Sequence, residues 1–296
     1  MKKQFLQASL ISSAILLAAC DGSDVGSING GSSTSNSNAA ETLTTTPPAS
    51  STPQPAVHAA CRPDGRFTYS GSASQVAANN GQLAVVVVPT LPNAYAKNRN
   101  MTASAVPASS LVQQSGGGFT TLASSAAATD CLGLEHGAVT EIQSVGSDVA
   151  IGRWNKAMDT DGNTYNDQQG VHYAVGTPLS LSATSGTLVC TQLIADTVGS
   201  DDGTAGGMPE TSSATLDLAT RTLNNLNLSI NWANTPYALT NTQRTLTNTE
   251  APLNGVSKTE RLTVQSVVVG RDATQPMVAV GYSTGSYGGV VVLSCH

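Results

Sequence analysis

Leu226-Asn227-Leu228-Ser229-Ile230-Asn231-Trp232 alternates apolar and polar side chains without a break. A strand turns successive side chains to opposite faces, so this segment predicts a strand with one buried and one wet face. Just upstream, Ala214-Thr215-Leu216-Asp217-Leu218 alternates likewise, and Ala219-Thr220-Arg221 is a short connection, so the two predict a hairpin. Further strands are predicted over 148–154, 171–175, 187–194, 237–246, 261–269, 277–282 and 289–294. Turn-forming clusters separate them: Asp161-Gly162-Asn163, Asp201-Asp202-Gly203 with Gly206-Gly207, Pro252-Leu253-Asn254-Gly255, and Gly285 to Gly289. With no convincing amphipathic helix, the expectation is an all-β chain. Residues 141–296 should form an antiparallel β-barrel of about eight strands. Residues 58–140 should form a smaller, irregular β-rich region whose one firm strand, 83–88, ends at Pro89.

Composition narrows the partners. Aromatic residues make up 4% of the chain, so the core must come from Val, Leu, Ile and Ala. Charged residues are only 11%, which suits an exported β-protein that wets its outer faces with hydroxyls and amides. The net charge is −6, and near −8 once Lys2 and Lys3 are removed with a leader. No basic stretch could grip phosphates, which excludes nucleic acid as a partner class.

The amino terminus carries a charged start at Lys2-Lys3, an apolar run over 10–17, and small residues before a cysteine in Leu17-Ala18-Ala19-Cys20. This is the three-part layout of an export signal, and its apolar run is shorter than the ~20 residues that span a bilayer. The stretch resembles the bacterial lipoprotein signal. The resemblance implies that 1–19 is a signal peptide, that Cys20 is lipidated, and that the mature chain is held at a membrane by lipid. Residues 20–57, rich in Gly, Ser, Thr, Asn and Pro, offer almost nothing apolar to bury and read as a disordered tether. As a flexible chain it would reach roughly 30–37 Å. The cell envelope is the expected location, with the outer membrane favoured. Asp21, an inner-membrane retention signal in the enteric form of the family, keeps the inner membrane open.

Beyond Cys20 there are four cysteines, Cys61, Cys131, Cys190 and Cys295. An even number in an exported chain points to two disulfides, with three connectivities available. The preferred pairing is Cys61–Cys131 with Cys190–Cys295, because the first two share the less regular N-terminal part. No Cys-x-x-Cys or Cys/His spacing suggests zinc or redox work.

Several patterns look chemical. Gly281-Tyr282-Ser283-Thr284-Gly285 matches the hydrolase elbow, in which a strand-to-helix turn exposes a serine. A strand follows instead of a helix, and His58, His136, His172 and His296 stand in no triad context, so these residues read as a hairpin turn. Asp159, Asp161, Asn163 and Asp167 alternate oxygen-bearing side chains around a glycine, as a calcium loop requires. The same Asp-Gly-Asn residues also suit a plain hairpin, and a final bidentate Glu is missing. No other cofactor is indicated. Trp154 and Trp232 read as core plugs rather than ligand platforms, and His172 as hydrogen-bonded rather than haem-ligating. Arg153, on the opposite face from Trp154, is expected in solvent.

The order of landmarks Gly152-Arg153-Trp154, His172-Tyr173-Ala174-Val175-Gly176-Thr177-Pro178, Ser185-Gly186-Thr187 and 214–223 resembles the eight-stranded barrel domain of transferrin-binding-protein-B-like surface lipoproteins. It covers about half the chain. The family's Gly-x-Phe-Phe/Tyr-Gly strand is only loosely echoed by Val280-Gly281-Tyr282, and no ligand identity carries over. What the resemblance implies is a non-enzymatic binding module that meets an unknown protein or small ligand through barrel-end loops, including 156–170 and 197–212. The alternatives are a structural envelope scaffold and, least favoured, a serine hydrolase using Ser283.

Overall fold

A computed structural model of the chain describes residues 66–78, 81–92, 102–114, 116–123, 131–160, 162–245, 249–252 and 261–296. The expected signal peptide (1–19), the lipidated Cys20, the tether (20–57), Cys61 and Asp161 lie outside the described residues. The chain forms two sheets in succession, and no helix among the described residues is long and apolar enough to cross a membrane.

The N-terminal sheet contains β1 (Phe67–Gly71), β2 (Gln82–Thr90), β3 (Thr102–Pro107), β4 (Leu111–Gln113), β5 (Phe119–Ala123), β6 (Cys131–Val145), β7 (Val149–Asp159), β8 (Thr164–Tyr165) and β9 (Gly170–Gly176). Its spatial order is β3-β2-β9-β7-β6-β5-β4, with β1 parallel to β6 and β8 beside β7. The second sheet contains β10 (Thr187–Ala195), β11 (Gly199–Ser200), β12 (Gly207–Asp217), β13 (Thr222–Trp232), β14 (Thr235–Thr245), β15 (Thr249–Pro252), β16 (Arg261–Val269), β17 (Met277–Ser283) and β18 (Tyr287–Cys295). Its order is β14-β13-β12-β10-β18-β17-β16-β15, all antiparallel, with β11 beside β18.

Chain length forces this second sheet to curl. Flat, eight strands would put its two outermost members ~34 Å apart at the usual spacing. Those two, β14 and β15, are joined through the link from Thr245 to Thr249, which reaches no more than ~15 Å. The sheet therefore bends round until its ends nearly meet, as an almost closed barrel.

Both faces of the central strands are buried, which explains their unbroken apolar runs. Along β2, Leu83, Val85 and Val87 face the core of the N-terminal sheet, whereas Ala84, Val86 and Val88 face the barrel. β18 repeats the arrangement: Val291, Leu293 and Cys295 point into the barrel, and Val290 and Val292 meet the N-terminal sheet. In contrast, β13 buries Leu226, Leu228 and Ile230 on one face and leaves its asparagines on the other, as its alternation predicts.

Three expectations are corrected. The sequence places the start of the barrel at 141, but that position lies inside β6, and β6, β7 and β9 complete the N-terminal sheet; the barrel begins at Thr187. The valine run of β2 is the physical reason, since it needs β9 as a partner and the barrel over its far face. Second, residues 58–140 hold more than one strand, and the long β6 escapes a test for alternation. Its register against β7 slips at 134–136, 136–138 and 140–143, with Gly137 and Glu141 at positive φ, so its apolar residues lose their period of two. Third, Pro89 does not end β2 but pairs with Val171. Among the described residues, the pairing of β2 with β3 reaches only as far as Val87, and a proline is tolerated where a strand has a partner on one side.

Cys190 and Cys295 stand directly opposite each other on β10 and β18 and are joined by a disulfide. Their neighbours Val189 and His296 exchange both backbone hydrogen bonds, so the cysteines occupy the closer, non-hydrogen-bonded type of cross-strand position.

Candidate functional site

The layer between the two sheets is aliphatic at one end and charged at the other. Val86 and Val88 on β2, Val149 and Ile151 on β7, and Ala174 on β9 face the barrel. Continuing each strand by two residues on the same face reaches Thr90, Arg153 and His172, all buried. Two carboxylates come to meet them. Glu141 Oε1 accepts from Arg153 Nε (3.1 Å) and Nη2 (2.8 Å), while its Oε2 accepts the Thr197 amide at 2.6 Å. Asp196 Oδ2 lies 2.6 Å from His172 Nδ1, and its Oδ1 accepts the Val290 amide at 2.8 Å. Arg153 Nη1 also donates to the Asp167 carbonyl at 2.9 Å, and Gln143 Nε2 donates to the Ala195 carbonyl at 3.0 Å.

Each carboxylate thus spans the joint. Glu141 belongs to the N-terminal sheet and binds an amide of the barrel's connecting segment. Asp196 belongs to that segment and binds both the histidine of β9 and an amide of β18. Burial by itself raises the Glu141 carboxyl, but the Arg153 charge, the Thr197 amide and His172 outweigh it and hold the carboxyl below its ordinary value.

Thr90, His172 and Asp196 follow the hydroxyl–imidazole–carboxylate order of a hydrolase triad, with His172 Nε2 3.3 Å from Thr90 Oγ1. The surroundings disable it. Thr90 donates its hydroxyl proton to the Gly170 carbonyl at 3.1 Å, and all three residues are buried. Gly199 packs so tightly over them that a methyl group there would lie 2.7 Å from His172 Nε2. The cluster ties the two sheets together and has no face open to a substrate.

The residues singled out in the sequence are distributed as follows. Ser283 ends β17, and β18 begins after the hairpin Thr284–Ser286; its Oγ accepts the Gly285 amide at 3.2 Å, without the strand-to-helix turn of an elbow. Asp159 and Asn163 are bonded to each other. Asn163 donates through its amide and its side chain to the Asp159 carboxylate at 3.0–3.2 Å. Asp167 is exposed and pairs with Lys156 at 3.4 Å. Among the described residues no group of three or more His, Cys, Asp or Glu side chains is placed to hold a metal. Trp154 is a core plug, donating from Nε1 to the Phe119 carbonyl at 2.7 Å. Arg153 does face away from Trp154, but that side is the joint between sheets, not solvent, and Arg153 is buried.

Sequence reasoning missed Glu141, Asp196, Thr90 and Gly199. In a chain with 11% charged residues, an acid set directly against apolar neighbours, as in Leu193-Ile194-Ala195-Asp196, was the one available signal.

At one end of the barrel the loops of the two sheets lock together. Asn166 Nδ2 donates to the Gly203 carbonyl (3.0 Å), Gln169 Nε2 to the Asp201 carbonyl (2.9 Å), and the Ser200 amide to the Gln168 carbonyl (2.6 Å). Beside them, Trp232 and Tyr287 stack with ring centroids 4.8 Å apart, and Tyr237 lies 6.2 Å from Tyr287.

No protein-family model and no curated protein matches this chain. Among solved structures, intact Ap-TbpB (N and C lobes) is similar with a TM-score of 0.31 and 10% identity, over 72% of this chain and 46% of that one. The chain spans about half the length of that structure.

Proposed function

We propose that this chain is a lipid-anchored cell-envelope protein that binds a protein or small ligand, without catalysis, through the loops 156–170 and 197–212. The observation that carries the reading is the joining of these two loops. They belong to different sheets, yet three hydrogen bonds, Asn166 to Gly203, Gln169 to Asp201 and Ser200 to Gln168, present them as one surface. Binding residues concentrate on loops that a rigid scaffold holds in place. The anchor rests on the lipobox at Cys20. Capture from envelope extract with the full chain tests the binding reading. A partner retained by the native protein and lost when 201–205 is shortened to Gly-Gly supports it, while capture indifferent to that change overturns it. Labelled fatty acid incorporated by the native chain, but not by Cys20→Ala, supports the anchor.

A second reading, a structural scaffold that makes contact through the barrel wall, draws on Val189, Leu193 and Met208. These are 57%, 44% and 62% exposed on the β10 and β12 strands. Charged substitutions at all three that leave partner capture unchanged count against it.

A further inference from the structure

We infer that His172 carries a proton on each ring nitrogen in the folded protein, and that loss of one of them as the pH rises loosens the loops 156–170 and 197–212 together. As a regulation of binding, the switch rests on these loops being the binding surface.

The hydrogen bonds place both protons. A carboxylate oxygen has no proton to give, so Nδ1 is the donor in its 2.6 Å contact with Asp196 Oδ2. On the other side of the ring, Nε2 lies 3.3 Å from Thr90 Oγ1. The Thr90 hydroxyl has one proton, and it goes to the Gly170 carbonyl at 3.1 Å, an oxygen that only accepts. Thr90 therefore turns a lone pair toward Nε2, and Nε2 donates as well. Gly199 closes over this contact: a Cβ there would lie 2.7 Å from Nε2 and 2.8 Å from Thr90 Oγ1, so the two atoms are held against each other.

Charge balance requires the same protonation. Among the described residues, the charged or titratable groups around His172 are Asp196 on the connecting segment, Arg153 on β7, Glu141 on β6 and Tyr282 on β17. Arg153 stands directly opposite His172 in the β7–β9 register, and the two carboxylates divide between them, Glu141 to the guanidinium and Asp196 to the imidazole. The Tyr282 hydroxyl lies, like Asp196 Oδ1, against Gly289. Burial first, then Asp196 and Tyr287, hold this phenol well above its ordinary value, so it stays neutral. β2 and β18 contribute the Thr90 hydroxyl and the Val290 amide. Two carboxylates against Arg153 alone leave one negative charge in excess where His172 and Asp196 are buried. A buried charge without a counter-charge is costly, and a doubly protonated His172 supplies the counter-charge.

Both loops are rooted in this cluster. The segment leading into 197–212 starts at Asp196, its Thr197 amide is held by Glu141 at 2.6 Å, and its Gly199 packs on the imidazole. The loop 156–170 is held by Arg153 Nη1 on the Asp167 carbonyl at 2.9 Å, and the Ser200 amide on the Gln168 carbonyl joins the two. When Nε2 gives its proton to solvent, the single Thr90 proton serves either Gly170 or His172 but not both, and the cluster is left one charge negative. The ties of both loops then weaken at once.

Nitrogen NMR of the full chain, labelled at histidine, counts the protons. The two ring nitrogens resonate close together in an imidazolium and far apart in a neutral ring. At about pH 7.5 a histidine with the ordinary value of about 6.5 is mostly neutral, whereas the signal that disappears in His172→Gln should be that of a doubly protonated ring. Thr90→Ser should keep this signal and Thr90→Val should convert it to the neutral form, a change that a packing role for Thr90 does not produce. The folded chain then holds a proton that the unfolded chain releases above about pH 6.5, so stability falls as the pH rises. Between about pH 7 and 9 the unfolding constant of the native chain should rise, relative to His172→Gln, by up to about tenfold per pH unit. The opening constants from hydrogen exchange at the Thr197 and Ser200 amides should rise with it. A neutral His172 at about pH 7.5 overturns the proposal, and so do loop amides whose opening is independent of pH. Where a variant does not fold, backbone assignment of the native chain identifies His172, and its nitrogen shifts decide alone. Both readouts use the free chain, so they succeed or fail whether or not the loops capture a partner.

Discussion

Asp196 Oδ2 lies 2.6 Å from His172 Nδ1, and the other oxygen of the same carboxylate accepts the Val290 amide, so one buried side chain fastens β9 of the first sheet to β18 of the barrel. Asp196→Ala leaves His172 Nδ1 and the Val290 amide without their shared partner in a buried layer. Urea unfolding should show a loss of about 3–5 kcal/mol, the range for breaking a buried pair by removing one member. A loss under about 0.5 kcal/mol, typical of exposed surface changes, would show that this contact does not hold the sheets together.

Glu141 makes the joint sensitive to acid. Its folded carboxyl is held below its ordinary value, so as the pH falls the unfolded chain takes up the proton first. Its stabilisation is complete above the unfolded value of about 4.3 and is lost as the pH drops through the lower, folded value. Urea midpoints of the native chain and of Glu141→Gln should differ most near neutral pH and converge in acid. A difference independent of pH would contradict the assigned partners.

The cross-strand disulfide closes a loop with a sequence separation of 105. Replacing both Cys190 and Cys295 by Ala should lower stability by up to about 4–5 kcal/mol on the chain-entropy account. Since both side chains are buried, the cavity left behind adds to the effect, and denaturant titration of the double variant measures the total.

Calcium added to chelator-stripped protein should leave the melting temperature unchanged. The Asp159 carboxylate already accepts from the Asn163 amide and side chain, and Asp167 is turned to Lys156. A rise with calcium that Asp159→Asn abolishes would show that these oxygens can be recruited to an ion.

Strands with one wet face were legible in the sequence, because their two faces have different chemistry. Leu226–Trp232 could be read from residue types alone, and Arg261–Val269 was read with its observed bounds. The valine run of β2 was legible as a strand, but not the fact that its second face meets the barrel. That misreading moved the domain boundary and put Arg153 in solvent. β6 was missed because bulges at three places break its period, and one of them carries Glu141 at positive φ. Asp196 was out of reach for a further reason: it lies between β10 and β11, outside any strand, and its role comes from partners 24 and 94 residues away.

Cys190 lies near the start of the first barrel strand and Cys295 at the end of the last, so their bond makes almost the whole barrel one covalent ring. A protease that cuts any single loop between them opens the ring without releasing a fragment. The nicked barrel keeps all its strands at one address, and the contacts of both cores can re-form around the break. In an oxidising compartment shared with proteases, the number of cuts needed to remove a piece of this domain is therefore two rather than one.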